Sequence, residues 1–574
     1  MKRTPHMIAS LTVAGLFLSG AMVSPSVAQT ELPTDSSADN PAGGSVDGSL
    51  DGFVPVPENP LEDPVQNKAN GFPTEQSCDD SDEVSQSYSA DGSTDEAVVA
   101  TPDPYASDIA CRTLLEGGSA ADAVAAAQFT MGLTEPQSSG PGGGGVAVYY
   151  DADSDETKTW NASAPAPDDV TSSTKTGVPQ TTKLINTLHD DYGDMDLDEI
   201  VDPIAELADD GFKVSKRMNS AINRRIDDMT AIPWPEVSSD DIPDEGDEVT
   251  NPDYADYLRD LDISGDLEPE DPLCVDYREN EVCGSSDAGT GMMIVGEALG
   301  ILDNLDQDMV TDNTKHVVTE AERLALANGN TWMQDPEIDP ELSEAYVDEL
   351  VTNEEHLEEQ ADRIDSEDSL EDIEPDPVDG EEGTYRDHEE EGTTQITVRD
   401  GDGNFAAMTT TISQHFGTGK VENGYFLNNS MRNFTVSNDE MNQRAPGIRP
   451  KTSMSPVIVF EDGTPMLGMG TAGGSHIPSF VIKTIVGIID KGQDVREAVR
   501  AKNYGAIGRD DTYREGNGGE GSASSLSVIH VDDGTVYGES DARAYGSARS
   551  TSVDGESDDT QYGGGLSSSD INLS

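Results

Sequence analysis

Apolar positions change their spacing several times along the chain, and each change marks an element. Residues 104–136, "PYASDIACRTLLEGGSAADAVAAAQFTMGLTEP", place them at helical spacing in two runs separated by Gly117-Gly118, with Pro136 closing the second. That spacing predicts two helices. Residues 138–167, "SSGPGGGGVAVYYDADSDETKTWNASAPAP", pass from a glycine cluster into an alternating strand and a polar hairpin turn. The middle, about 176–380, reads mainly helical: "DLDEIVDPIAELADDGFKV", "GTGMMIVGEALGILDNL" and "NTKHVVTEAERLALANGNTWM" carry i, i+3, i+4 apolar spacing between acidic spacers. After Thr393 the alternation of strands dominates. "TTQITVRDGDGNFAAMTTTISQ" is two strands joined by Asp402-Gly403, and "MSPVIVFEDGTPMLGMGTAGG" is a second such unit. Two helical segments, "SFVIKTIVGIIDKG" and "DVREAVRAK", precede a last hairpin in "SSLSVIHVDDGTVYGESD". Strands, then helices, then strands predict a layered α/β sandwich.

Two stretches lack any such pattern. Residues 29 to about 85 are rich in Pro, Asp, Ser and Gly and read as a disordered or extended leader. Residues 353–392, ending in "SEDSLEDIEPDPVDGEEGTYRDHEEEG", carry too little apolar surface to form a core of their own. They read as an acidic linker or mobile flap between a part spanning 86–392 and one spanning 393–574. The first residues, "MKRTPHMIASLTVAGLFLSGAMVSPSVAQ", have the basic start, apolar run and small-residue end of a cleavable signal over 1–28. A secreted or periplasmic location is therefore expected. No later stretch approaches the roughly 20 apolar residues of a membrane span.

Composition narrows the classes further. In 574 residues, 114 Asp+Glu against 33 Lys+Arg give a formal charge of -81, a field that repels nucleic acid and anionic membranes alike. Acidic residues spread through periodic apolar segments read as the solvated coat of a salt-adapted folded protein rather than as wholesale disorder. The four cysteines fit an oxidising compartment. Cys274 and Cys283 are close enough to close a local loop, while pairing Cys78 with Cys111 follows by elimination only. None has metal-site spacing and no histidine cluster accompanies them, so neither a metal nor a cofactor is expected.

The candidate chemistry lies at "EGTTQIT", residues 391–397, where the acidic run meets the first strand of the later part. A threonine hydroxyl is a poor nucleophile at its own pKa. Released as a chain N-terminus, it gains its own α-amine, with a pKa of about 7.7–8.0, as base. Cleavage of the Gly392–Thr393 bond would free Thr393 in this way, and the glycine leaves the carbonyl open to attack.

The surrounding motifs carry a resemblance. "TTQITVRDGDGNFAAMTTTISQHFGTG", "FLNNSMRNF", "KTSMSP" and "GMGTAGGSH", with "ASDIACRTLLEGGSAADAVAAAQFTMGLTEPQSSGPGGGGVAVYYD" and "EAERLALANGNTWMQDP" upstream, resemble in order and spacing the motifs of the γ-glutamyltransferase family across about residues 97–550. The resemblance implies an N-terminal-nucleophile hydrolase of αββα fold. Its precursor would cut itself into large and small subunits that stay associated. It implies that Thr393 is the nucleophile and that Thr411 supports it. Gly473 and Gly474 would supply oxyanion N–H groups, and Thr452 and Ser453 would hold the donor's carboxylate. The substrate would be a γ-glutamyl or other acyl amide, with water or an amino acceptor resolving the acyl-enzyme.

The donor anchors depart from the family's pattern. Asn161 in "WNASAP" stands where the family has the arginine for the donor's carboxylate. Ser430 and Asn433 replace the Glu/Gln and Asp that bind its ammonium, and Ser413 replaces an asparagine. Losing the arginine contact and a charge-assisted ammonium contact would each cost on the order of 1.5–3 kcal/mol of donor binding. Three readings follow: a glutathione hydrolase and γ-glutamyl transferase; an acylase for amides without the α-amino acid head; and a non-catalytic secreted relative. In a further alternative Arg432, or an arginine elsewhere, replaces the missing cation. "GPGGGGVA" lacks the Lys-Ser/Thr of a phosphate loop, "DGDGN" is a hairpin turn rather than a calcium loop, and His415 and His476 carry no assigned role.

Self-repulsion at a charge of -81 grows as screening falls. Folding and activity are expected to decline together when salt is lowered from molar to tens of millimolar, followed by thermal unfolding and turnover. Unchanged activity at the low end contradicts the salt-adapted reading.

Overall fold

The computed structural model describes residue 78 and residues 88–261, 263–378, 392–435, 441–510, 512–514 and 524–551. The signal segment, the leader apart from Cys78, and residues 379–391 lie outside them.

Strands β1 (Ser89–Ser93) and β2 (Val98–Thr101) lead into helices α1 (Pro104–Leu115) and α2 (Ala120–Thr134), then the hairpin β3 (Gly144–Asp151) and β4 (Glu156–Ala162). Helices α3 (Thr181–Tyr192) and α4 (Leu197–Asp210), strand β5 (Phe212–Lys213), helix α5 (Lys216–Arg225), strand β6 (Glu248–Val249) and helix α6 (Pro252–Arg259) follow. A hairpin, β7 (Leu273–Tyr277) and β8 (Asn280–Gly284), precedes α7 (Met292–Asp303), α8 (Gln307–Asp312), α9 (Thr314–Trp332), α10 (Pro340–Tyr346) and α11 (Glu354–Ala361). The later part runs β9 (Gly392–Arg399), β10 (Phe405–Ser413), the ribbon β11 (Val421–Glu422) and β12 (Tyr425–Phe426), β13 (Val457–Glu461) and β14 (Thr464–Gly470). It ends with α12 (Ile477–Ile489), α13 (Val495–Arg500), the ribbon β15 (Tyr504–Ala506) and β16 (Thr512–Arg514), and β17 (Ser527–Asp532), β18 (Thr535–Ser540) and β19 (Ser547–Ser550).

Two antiparallel sheets organise these elements, ordered β19-β2-β9-β10-β3-β4 and β1-β18-β17-β14-β13-β8-β7. Period-2 alternation explains their stacking. On β10, Phe405 and Ala407 join a core with Ile458 and Phe460 of β13 and Ile529 of β17, between the sheets. Ala406 and Met408, on the other face, pack with α1 to α6. Val457 and Val459 of β13 turn outward onto α7, α9 and α12. The layers are therefore helix, sheet, sheet, helix, as the resemblance implied. Among the described residues no helix is long and apolar enough to cross a membrane.

Two features differ from the sequence reading. Within the stretch read as mainly helical, β7 and β8 form a hairpin, with Cys274 opposite Cys283 and disulfide-bonded to it. Cys78 pairs with Cys111. The acidic segment 353–392, read as a linker, is packed over its described part. Ile364, Ile373 and Val378 are buried, Arg323 donates to the Leu370 carbonyl, and Trp332 Nε1 donates to the Asp376 carbonyl at 2.9 Å. A few apolar residues suffice there because α9 supplies the other side of the contact.

Glu322 of α9 ties this helical layer to the start of α12. Its Oε2 accepts from the Ala506 N–H at 2.8 Å and the Ser479 hydroxyl at 3.0 Å, and burial pushes its carboxyl up to about 8. The folded state thus keeps a proton that the unfolded chain, with an ordinary value of 4.5, releases. Stability is lost as pH rises from about 4.5 through 8. Glu322→Gln, which does not titrate, is expected to melt above the wild type at pH 9 and level with it at pH 5; the same difference at both would contradict the assignment.

Candidate active site

β9 and β10 pair with Thr393 opposite Thr411, and the register then slips, so that Gly392 lies opposite Ser413. Ser413 takes φ 76°, a left-handed conformation that non-glycine residues rarely adopt. This bulge turns the Ser413 N–H onto Thr411 Oγ at 2.8 Å. The same oxygen receives the Thr393 hydroxyl at 3.3 Å, and the Thr411 hydroxyl donates to the Gly392 carbonyl. Nucleophile candidate, helper and candidate scissile carbonyl therefore share one hydrogen-bonded line. All three residues are buried, Thr393 completely.

Glycines let other strands approach this line. A side chain on Gly143 would run into the Thr411 carbonyl, so the cluster at 140–147 is a close-packed wall of the site. Gly473 (φ 151°) and Gly474 (φ 59°) turn the chain from β14 into α12, and a side chain on Gly473 would strike the Phe480 ring. Gly470, three residues before this turn, has no room for a side chain because Gln395 lies there, which brings the end of β14 over the start of β9.

Beside Thr411 lies a cavity with about 10 Å³ of space, roughly the room one water needs. Thr411, Ser413, Ser430, Asn433 and Thr452 line it together with Ser163, and none of its lining residues is charged. The Ser163 and Ser413 hydroxyls are buried and make no hydrogen bond among the described residues. Ser430 Oγ is tied to Asn428 Oδ1 at 2.8 Å and the Ala164 carbonyl at 3.2 Å. Ser453 does not share this cavity. Residues 451–454 alternate, so Thr452 and Met454 face it while Ser453 and Lys451 line a second one with Ser475. Gly473 and Gly474 line neither cavity.

Asn161 sits behind the first cavity, its Oδ1 accepting from the Ser163 N–H at 3.0 Å. Arg449 donates to the Asn161 carbonyl at 3.2 Å and is ion-paired to Asp287 and Asp335, each at 2.9 Å. Burial pushes the Asp287 carboxyl up and Arg449 opposes it. Arg432 is exposed and lines neither cavity. Arg444 is used on the backbone carbonyls of Thr171, Thr174 and Met431. His415 is driven down to about 3 by burial and by the charges of Arg217, Arg224 and Arg225, and His476 to about 4 by burial. Both are neutral at pH 7.

Sequence reasoning missed two residues that build this site. Arg217 donates to the Thr393 carbonyl at 3.2 Å and ion-pairs with Glu135 at 2.9 Å. Asn428 Nδ2 donates to the carbonyls of Gly142 and Gly177, while its Oδ1 accepts from the Gly177 and Ser430 N–H groups. Asn428 sits inside a quoted motif, whereas no local signal marks Arg217.

Comparison with known proteins follows the same lines. The family model described as "Gamma-glutamyltranspeptidase" matches residues 106–268 and 266–507. The glutathione hydrolase proenzyme of Escherichia coli (strain K12) is 28% identical over 535 residues, covering 78% of this chain and 90% of that protein. The capsule biosynthesis protein CapD proenzyme of Bacillus anthracis is 25% identical over 444 residues, covering 70% and 76%. The crystal structure of cephalosporin acylase from Bacillus halodurans is similar in fold, with a TM-score of 0.69 and 21% identity over 82% of this chain and 98% of that one.

Asn428→Ala removes the bridge among three backbone segments and leaves buried groups unpaired. A loss of about 2–4 kcal/mol of stability is expected from denaturant unfolding. A loss below about 0.5 kcal/mol contradicts the bridging role.

Proposed function

The chain belongs to the gamma-glutamyltranspeptidase family, and from that premise we propose that it cleaves itself between Gly392 and Thr393 and then acts as an N-terminal threonine amidohydrolase or acyltransferase. In the first step the Thr393 oxygen adds to the Gly392 carbonyl carbon. The Thr393 hydroxyl proton passes to Thr411, and the Thr411 proton to the carbonyl oxygen as it becomes tetrahedral. Collapse breaks the C–N bond, the nitrogen takes up a proton, and water hydrolyses the resulting ester. Thr393 is left with a free α-amine. In turnover that amine takes the proton from the Thr393 hydroxyl as the oxygen attacks an amide carbonyl. The departing amine receives the proton, and water or an amino acceptor releases the acyl group. Gly473 and Gly474 are the proposed donors to the oxyanion.

One observation carries the substrate assignment: the cavity beside Thr411 has no charged lining residue, and Arg449, behind it, is matched by two carboxylates. A zwitterionic α-amino acid head would find no counter-charge for either end among the residues lining the cavity. In the uncut chain this cavity has room for about one water, so the assignment rests on the character of its lining: as donor we assign an acyl amide with an uncharged, hydrogen-bonding head, for which the Ser163 and Ser413 hydroxyls provide partners. Glutathione hydrolysis with γ-glutamyl transfer is the second reading, supported by kinship with the Escherichia coli glutathione hydrolase proenzyme. Thr452, Ser430 and Asn433 would then have to hold that head through neutral contacts. A secreted or periplasmic location, by way of the signal segment, is part of the proposal.

Anilides of γ-glutamic, glutaric and 4-carbamoylbutanoic acid, compared in high salt with Thr393→Ala as the blank, separate the readings. The carbamoyl donor is expected to show the highest kcat/KM and the γ-glutamyl donor the lowest. A γ-glutamyl donor tenfold better than the others overturns the neutral-head assignment.

A further inference from the structure

Strand β9 has unequal neighbours. β10 accompanies it along its whole length, but β2 reaches only from Val98 opposite Arg399 to Ala100 opposite Thr397. Among the described residues, Thr393 to Ile396 therefore have a strand partner on one side alone. Cleavage at Gly392 would also remove their covalent tether on the other end. A residue that carries both nucleophile and base then depends on side chains to fix its backbone.

The side chain present is Arg217. One guanidinium nitrogen donates to the Thr393 carbonyl at 3.2 Å and the other meets Glu135 Oε2 at 2.9 Å. Glu135 is itself immobilised. It caps the end of α2, where its N–H bonds the Met131 carbonyl, and Gln137 Nε2 donates to its Oε2 at 2.6 Å. Burial and the neighbouring Asp103 raise the Glu135 carboxyl to about 7 against the pull of Arg217, so this acid is held in place at a desolvation cost. Residues 395–397, by contrast, have no guanidinium on their carbonyls among the bonds described.

We propose that Arg217, anchored by Glu135, is a positioning residue that holds the Thr393 main chain in register for self-cleavage and, afterwards, for attack on the donor. The planar guanidinium bridges an acid on the helical layer and a carbonyl on the sheet, a task an ammonium performs less well. The inference rests on Thr393 being the nucleophile, and the wild-type chain serves as the control for that premise.

The test follows self-cleavage of freshly folded full-length chains by intact mass for wild type, Arg217→Lys, Arg217→Met and Glu135→Gln, with the melting temperature of each uncleaved chain measured alongside. Small misplacements of a reacting group cost up to about a hundredfold in rate. Arg217→Met is expected to cleave about tenfold to a hundredfold more slowly, with Arg217→Lys in between, and millimolar guanidinium should restore part of the Arg217→Met rate. Glu135→Gln should slow cleavage without gaining from guanidinium. Wild-type rates in Arg217→Met overturn the proposal, as does slowing that matches a fall in melting temperature and ignores guanidinium. Where Arg217→Met does not fold, Arg217→Lys cleaving at the wild-type rate overturns it. A wild-type chain that never cleaves overturns the nucleophile assignment instead.

Discussion

The hydroxyl of Thr411 is the point on which the site turns. It is held by the bulge at Ser413, whose unusual backbone angle puts an N–H behind the oxygen, so its own proton is directed to the Gly392 carbonyl. Everything else in the neighbourhood serves that placement. The segment just before β3 crowds in through Gly143, and the Asn428 amide fastens the glycine wall to the turn carrying Ser430.

The cavity is uncharged in a chain that is strongly acidic. The chain carries -81 overall, yet the cavity beside Thr411 is lined by hydroxyls, amides and apolar groups. Behind it, Arg449 is fixed between Asp287 and Asp335, a triad with one surplus negative charge. Such a triad is costly to bury, and removing one member would leave charge uncompensated. It therefore orders the Asn161 end of the site without leaving the guanidinium to a ligand. Neutral lining in front and a spent cation behind are the physical basis for the donor proposed above.

Legibility in the sequence followed the range of the interactions. The hairpin at Asp402-Gly403, the paired helices either side of Gly117-Gly118 and the strand after Thr393 are written in local spacing, and their order gave the layered sandwich. The β7 and β8 hairpin was missed because its strands are five residues each and their polar positions resemble the acidic spacers around them. The separation of Thr452 from Ser453 is a matter of alternation along one extended segment, readable in principle from its period of two. Arg217 and Arg449 were out of reach: their partners lie 176 and 114 residues away, and nothing local distinguishes such an arginine from a solvated one. Asn428 lay in a visible motif, but its partner, 286 residues away, was not legible there. The resemblance aligned motif with motif, but it did not show which cation stood behind Asn161.

The central claim, that the shared hydrogen-bonded line of Gly392, Thr393 and Thr411 is a self-cleavage site, is tested most directly by intact mass and N-terminal sequencing of the purified chain. The account predicts two associated fragments, one beginning at Thr393, and a single uncut chain for Thr393→Ala. A wild-type chain that stays whole, or a fragment that begins elsewhere, would contradict it.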